Sequence, residues 1–284
     1  TANGKPSIAQ YIKKIFLVSD NDAYNRLYEF LGQEYINTAL HKKGYMNTQL
    51  LHRLNIFLTE EENRHTNPVK FYDSNNHLLY SKPQVYNRQV YPKRNDRIGK
   101  AYYRNGKLIN EPMDFSGKNR MELADLHQVL VSLVFPETIS AAQRFNITEE
   151  DRRFVLQYMS QFPFESVYPA YDSSYHNAFA KYLLLGADKE SMPKNIRIFN
   201  KIGNAYGQMV DVAYVADFEK NIEFMVSATL YCNQDNILND DKYDYNTIGF
   251  PFMKSLGKIL YEYELKRNKP YPSNLLPFIF NYTK

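Results

Sequence analysis

Apolar and polar positions alternate along this chain in three distinct rhythms. Ile8, Ile12, Ile15 and Phe16 recur at helical spacing, which predicts a helix from Ile8 to Phe16. A polar break follows at Ser19-Asp20-Asn21-Asp22. Either Asn21 or Asp22 can cap a second helix, with Ala23, Leu27, Phe30 and Leu31 on its buried face and Gly32 as its stop. A short third helix is predicted from Tyr35 to Lys43, closed by Gly44.

The rhythm changes to period two between about 66 and 118. Val69-Lys70-Phe71-Tyr72 and His77-Leu78-Leu79-Tyr80 flank a polar tetrapeptide and read as a hairpin. Ala101 to Arg104 and Lys107 to Ile109 flank Asn105-Gly106, the pair suited to a two-residue turn with positive φ at both positions. The stretch between them is basic, with Lys82, Arg88, Lys93, Arg94, Arg97 and Lys100, and reads as a solvated β insertion.

Helical spacing returns with Leu123, Leu126, Leu130 and Val134. Another helix is predicted after Thr148, which with Asp151 forms a capping-box-like start. Strands are predicted from Asn195 to Ile202, Gln208 to Ala216 and Ile222 to Cys232. A long amphipathic helix follows from Gly249 to Arg267, and the Pro-containing tail after Asn268 is expected to pack on the surface. The organisation expected is a helical segment over 1–65, a β-rich insertion over 66–118, a helical segment over 119–194, and strands with a long helix over 195–284 that complete the same domain.

Composition narrows the function classes. No apolar run approaches the length of a membrane span, and no tract is dominated by Gly, Pro or Ser. The single cysteine, Cys232, excludes an intrachain disulfide. With 35 basic and 31 acidic residues, the net charge of +4 is too balanced to argue for nucleic acid. The six histidines are scattered without ligand spacing, so His52, His65 and His176 read as structural. Asp235, Asp240, Asp241 and Asp244 lack EF-hand spacing and read as a solvated loop. No metal or cofactor is expected.

Two tripeptides carry the candidate chemistry. Ser19-Asp20-Asn21 sits in the break between two helices, in the context Phe16-Leu17-Val18-Ser19-Asp20-Asn21-Asp22-Ala23-Tyr24-Asn25. Lys201-Ile202-Gly203 sits on a strand, in the context Phe199-Asn200-Lys201-Ile202-Gly203-Asn204. The first resembles the S-D-N segment of class A β-lactamases and their penicillin-binding relatives, and the second resembles their K-T-G strand. The resemblance runs from about Ile8 to Arg267, with 50–118 its least similar part.

That resemblance to the serine β-lactamase-like and DD-peptidase superfamily implies an α/β fold of the α+β type. It is an α/β/α sandwich with a mostly antiparallel sheet, here incomplete at the N-terminus and carrying a β-hairpin insertion. It implies acyl-enzyme chemistry on a β-lactam or a peptidoglycan-like peptide, without metal or organic cofactor, in a protein exported to the cell envelope or periplasm. It assigns Ser19 and Lys201 to a proton relay, Asn21 to holding a catalytic lysine and the substrate amide, and Lys201, Gly203 and Asn204 to substrate binding. The N–H of Asn204 would supply half of an oxyanion hole. The same fold without a nucleophile would instead serve as a binding module for an envelope partner or wall fragment.

The sequence departs from the family pattern in three places. The family nucleophile lies in S-x-x-K ahead of S-D-N, and the 18 residues before Ser19 contain no such motif. Ser191-Met192-Pro193-Lys194 and Ser255-Leu256-Gly257-Lys258 match the spacing but follow Ser19, and Pro193 interrupts the helix the motif needs. Both are expected outside the cleft, with the nucleophile supplied by a segment upstream of this chain. Ile202 stands where the family has a hydroxyl residue. No acid occurs in His52-Arg53-Leu54-Asn55, the region of the deacylating carboxylate, and Glu60, Glu61 and Glu62 read as a solvated face.

Overall fold

A computed structural model describes residues 4–189 and 192–282. The chain runs through helices α1 (Ile8–Val18), α2 (Asn21–Leu31), α3 (Gln33–Lys42) and α4 (Glu60–Arg64). Hairpin strands β1 (Val69–Tyr72) and β2 (Leu78–Lys82) follow, then β3 (Ala101–Arg104) and β4 (Lys107–Ile109). Next come α5 (Leu123–Val134), α6 (Glu149–Ser160), strands β5 (Ile196–Ala205), β6 (Gln208–Asp217) and β7 (Ile222–Tyr231), and α7 (Phe250–Lys266). The chain divides into two compact units, one of Thr1–Asp20, Gly99–Met113 and Leu123–Lys284, the other of Asn21–Ile98 and Asp114–Glu122.

The first unit is built on the antiparallel sheet β7-β6-β5. Its strands are apolar on both faces because helices cover both. Ile198, Ile202, Ala213 and Val215 pack with Leu183, Leu184 and Met253 of α7. Phe199, Val212, Tyr214 and Ala216 pack with Leu130 and Val134 of α5 and Leu156 and Met159 of α6. This is the expected helix–sheet–helix layering. Thr148 caps α6 in a full capping box with Asp151. Leu275 and Phe278 are 6% and 2% exposed and join the second of these clusters. The tail is therefore part of the core and not surface packing as expected; its apolar residues are separated by prolines and show no period.

The predicted turn at Asn105-Gly106 has φ of 52° and 74°, both positive. It joins β3 to β4, and β3 also pairs in parallel with Ile237-Leu238.

The second unit contains α2, α3, α4 and the β1–β2 hairpin. Helix α2 starts at Asn21, so neither Asn21 nor Asp22 stands outside it as a cap. The two hairpins belong to different units.

Candidate functional site

Helix α1 ends where Ser19 turns into the left-handed region, φ 56° and ψ 43°. Its N–H bonds the Ile15 carbonyl at 3.1 Å, and the next carboxylate, Asp20, pairs with Lys14 at 2.7 Å. A serine in this conformation is uncommon and strained by roughly 1 kcal/mol. The consequence is a hydroxyl placed at the helix end instead of along its side.

Lys201 lies midway along β5, paired with Val212 of β6. Strand alternation puts it on the face shared with Phe199, the face that α5 and α6 cover. Its Nζ donates to Ser19 Oγ at 2.7 Å and to the Ile202 carbonyl at 2.7 Å. Burial pushes the Lys201 ammonium down to about 8, opposed by the negative charge of Asp211. Near neutral pH about a tenth of Lys201 is then the free amine. As ammonium it donates to Ser19; as amine it accepts the serine proton. The pair can therefore pass a proton in either direction.

Gly203 and Asn204 continue the same strand, opposite Val210 and Met209. A Cβ on Gly203 would meet Val210 Cγ1 at 3.3 Å, so the small residue keeps the two strands closely packed there. Asn204 is exposed, and its Oδ1 accepts the Tyr182 hydroxyl at 3.2 Å. Asn21 opens α2 in the other unit and is exposed. The structure thus brings Ser19 and Lys201 together and sets Gly203 and Asn204 beside Lys201 on one strand.

The decoy Ser255 is exposed on α7, which packs on the sheet face opposite Lys201. Ser191 lies outside the described residues.

The loop His52–Asn55 is held by the Glu29–Arg53 ion pair, whose Nε–Oε2 distance is 2.9 Å, and by Asn25, which bonds the Leu54 carbonyl at 2.9 Å and its N–H at 2.7 Å. Asn119 Oδ1 accepts from the N–H groups of Leu51 and His52 at 2.6 and 2.9 Å. His52 donates from Nδ1 to the Arg53 carbonyl and accepts the Asn119 N–H at Nε2, a structural role, and burial lowers its proton affinity. Glu60, Glu61 and Glu62 are exposed. Glu62 closes the α4 capping box with Thr59, and Glu60 pairs with Arg64 at 3.2 Å.

Asp235, Asp240 and Asp244 accept backbone N–H bonds within their own loop.

Sequence reasoning missed three buried polar residues behind β5. They are Lys181, Asn200 and Asp211, at 2%, 1% and 0% exposure. The signal was a lone charge within each of two apolar runs, Ala178 to Leu185 and Met209 to Ala216.

The profile of the Beta-lactamase2 family, described as the β-lactamase enzyme family, matches residues 1–263. The chain belongs to this family. Among solved structures it is similar to a β-lactamase from Streptosporangium roseum, with 15% identity and a TM-score of 0.40. That match covers 90% of this chain and 66% of the other, so the chain spans just under two thirds of that relative's length. No curated protein matches. Among the described residues, no helix is long and apolar enough to cross a membrane.

Proposed function

We propose that this β-lactamase family member is the supporting part of a serine hydrolase of the β-lactamase or DD-peptidase type. It acts through an acyl-enzyme on a β-lactam or a peptidoglycan-like peptide in the cell envelope. The observation that carries this reading is the 2.7 Å hydrogen bond between Lys201 Nζ and Ser19 Oγ. In this reading the acylated serine is supplied by a segment upstream of this chain. In this reading Ser19 and Lys201 relay the proton of the leaving group, and Lys201 attracts a substrate carboxylate. The N–H of Asn204 faces the developing oxyanion.

Two departures favour a second reading, a non-catalytic module that binds a wall fragment or envelope partner. Ile202 removes a hydroxyl that would hold a carboxylate, and His52–Asn55 offers no carboxylate for deacylation. A single experiment separates the readings. A longer chain carrying the upstream segment is exposed to a fluorescent penicillin, with and without Lys201→Ala. The hydrolase reading expects labelling by the intact protein and at least ~100-fold slower labelling of the variant. No labelling of the longer chain supports the binding module. Turnover of nitrocefin by the 284-residue chain alone, abolished by Ser19→Ala, would show that the nucleophile is Ser19 itself.

A further inference from the structure

Strands β1 and β2 are the outer half of a longer two-stranded ribbon in the second unit. His65 pairs with Tyr86 and Thr66 with Val85, and the same register continues through Val69–Lys82, Lys70–Ser81 and Phe71–Tyr80. One face of the ribbon is anchored. Phe71 and Tyr80 meet the Phe30 ring of α2 edge-on, with centroids 5.1 and 6.3 Å away. Lys82 Nζ donates to the Phe30 and Leu31 carbonyls at the end of that helix. Alternation puts Lys70, Tyr72, Leu78 and Ser81 on the other face. A register shift beside Tyr72 leaves Leu79 without a cross-strand partner. Tyr72, Leu78 and Leu79 are each more than half exposed, so nothing among the described residues covers this face.

The charge around it has one sign. From Ser74 to Asn95 the chain carries Lys82, Arg88, Lys93 and Arg94 and no acid. The acids that bound this stretch are engaged. Asp73 accepts the N–H groups of Asn75 and His77, each at 2.8 Å, and Asp96 pairs with Arg94 at 2.9 Å. Lys70 and Arg88 are exposed and have no acidic partner among the described residues. A second copy seated on this face would bring two positive surfaces together, which like-charge repulsion opposes. A soluble polyanion would engage the cations and leave the leucines in water. An anionic bilayer answers both features, hydrocarbon for the leucines and headgroups for the cations. Tyrosine suits the boundary between them, its ring in the acyl region and its hydroxyl among the headgroups.

We propose that this ribbon is an interfacial anchor for an anionic lipid surface: Tyr72, Leu78 and Leu79 enter the boundary between headgroups and acyl chains, while Lys70 and Arg88 meet the anionic headgroups. Three apolar side chains and two cations give a weak, reversible and salt-sensitive attachment, not a permanent one. The ribbon shares no residue with the Ser19–Lys201 pair, so the anchor does not depend on the hydrolase reading.

The test is co-sedimentation of the full 284-residue chain with vesicles of phosphatidylcholine alone or of phosphatidylcholine mixed with phosphatidylglycerol. Binding to the mixed vesicles is expected, at least ~10-fold weaker for phosphatidylcholine alone. The double variant Leu78→Asp, Leu79→Asp is expected to bind the mixed vesicles at least ~10-fold more weakly than wild type, and Lys70→Glu to weaken binding in the same direction. Circular dichroism checks that these exposed substitutions leave the fold intact. If the double variant does not fold, Leu79→Cys carrying a polarity-sensitive dye decides, since the native Cys232 is buried. Its emission is expected to shift to the blue on adding mixed vesicles, and an unshifted dye overturns the proposal. No sedimentation with mixed vesicles overturns it as well. Binding unchanged in the double variant overturns it by assigning the cations to a soluble polyanion. A dimer in solution that the double variant dissociates overturns it by assigning the face to a second copy. Failure of penicillin labelling in the longer chain would defeat the hydrolase reading and leave this anchor standing.

Discussion

Lys201 Nζ stands 2.7 Å from Ser19 Oγ although the two residues are 182 positions apart. One closes the first helix and the other sits mid-strand in the last sheet. Both lie in the same compact unit, so their contact depends on that unit's fold and not on local sequence.

The left-handed turn at Ser19 separates backbone from hydroxyl effects. Ser19→Ala and Ser19→Gly both delete the hydrogen bond, but only glycine relieves the φ of 56°. The glycine variant should be about 1 kcal/mol more stable than the alanine variant in urea unfolding. Equal stability would show that the turn is not held in solution.

Gly257 makes the reverse case inside α7. Replacing an interior helix glycine by alanine ordinarily stabilises by up to about 1 kcal/mol. Here the new Cβ would collide with the Leu184 backbone nitrogen and stand 3.0 Å from its Cα. Gly257→Ala should therefore destabilise by about 1–3 kcal/mol, read as a lowered denaturation midpoint.

Helix and strand positions were legible because one rule, apolar spacing, operates over each of them; the Asn105-Gly106 turn was legible because few residues accept two positive φ values in succession. Ser19 and Lys201 were legible through the short contexts around them. Lys181, Asn200 and Asp211 were not, because a lone charge in an apolar run does not name its partner and the three meet only when β5 and β6 pair. Leu275 and Phe278 were missed for a related reason, since docking against the Phe199–Tyr214 face leaves no periodic trace.

Arg197 and Glu165 form a bidentate pair at 2.9 Å for both bonds, with side chains only 9% and 12% exposed. Arg197 also stacks on the Tyr282 ring at 3.7 Å. Glu165→Leu alone leaves a buried guanidinium without its carboxylate and should cost about 3–5 kcal/mol. Adding Arg197→Met should recover most of that loss, and a double variant no more stable than the single one would contradict this account.

Stability should also depend on pH through Asp211. Burial raises its carboxyl from the model-peptide value of 3.8 to about 6. The folded state therefore binds more protons than the unfolded state across this window. Its contribution to stability is full below about pH 4 and is lost as pH rises through about 6. Denaturant unfolding of wild type and Asp211→Asn between pH 4 and 7 should show the difference between them changing in that direction. A constant difference would mean that Asp211 titrates normally.

The enclosure of Lys181, Asn200 and Asp211 also constrains how this sequence can drift. Changing any one strands a partner without its hydrogen bond, so single steps away from the trio are strongly disfavoured, whereas a concerted exchange for apolar residues is not. Across homologues the three positions should therefore vary as a block.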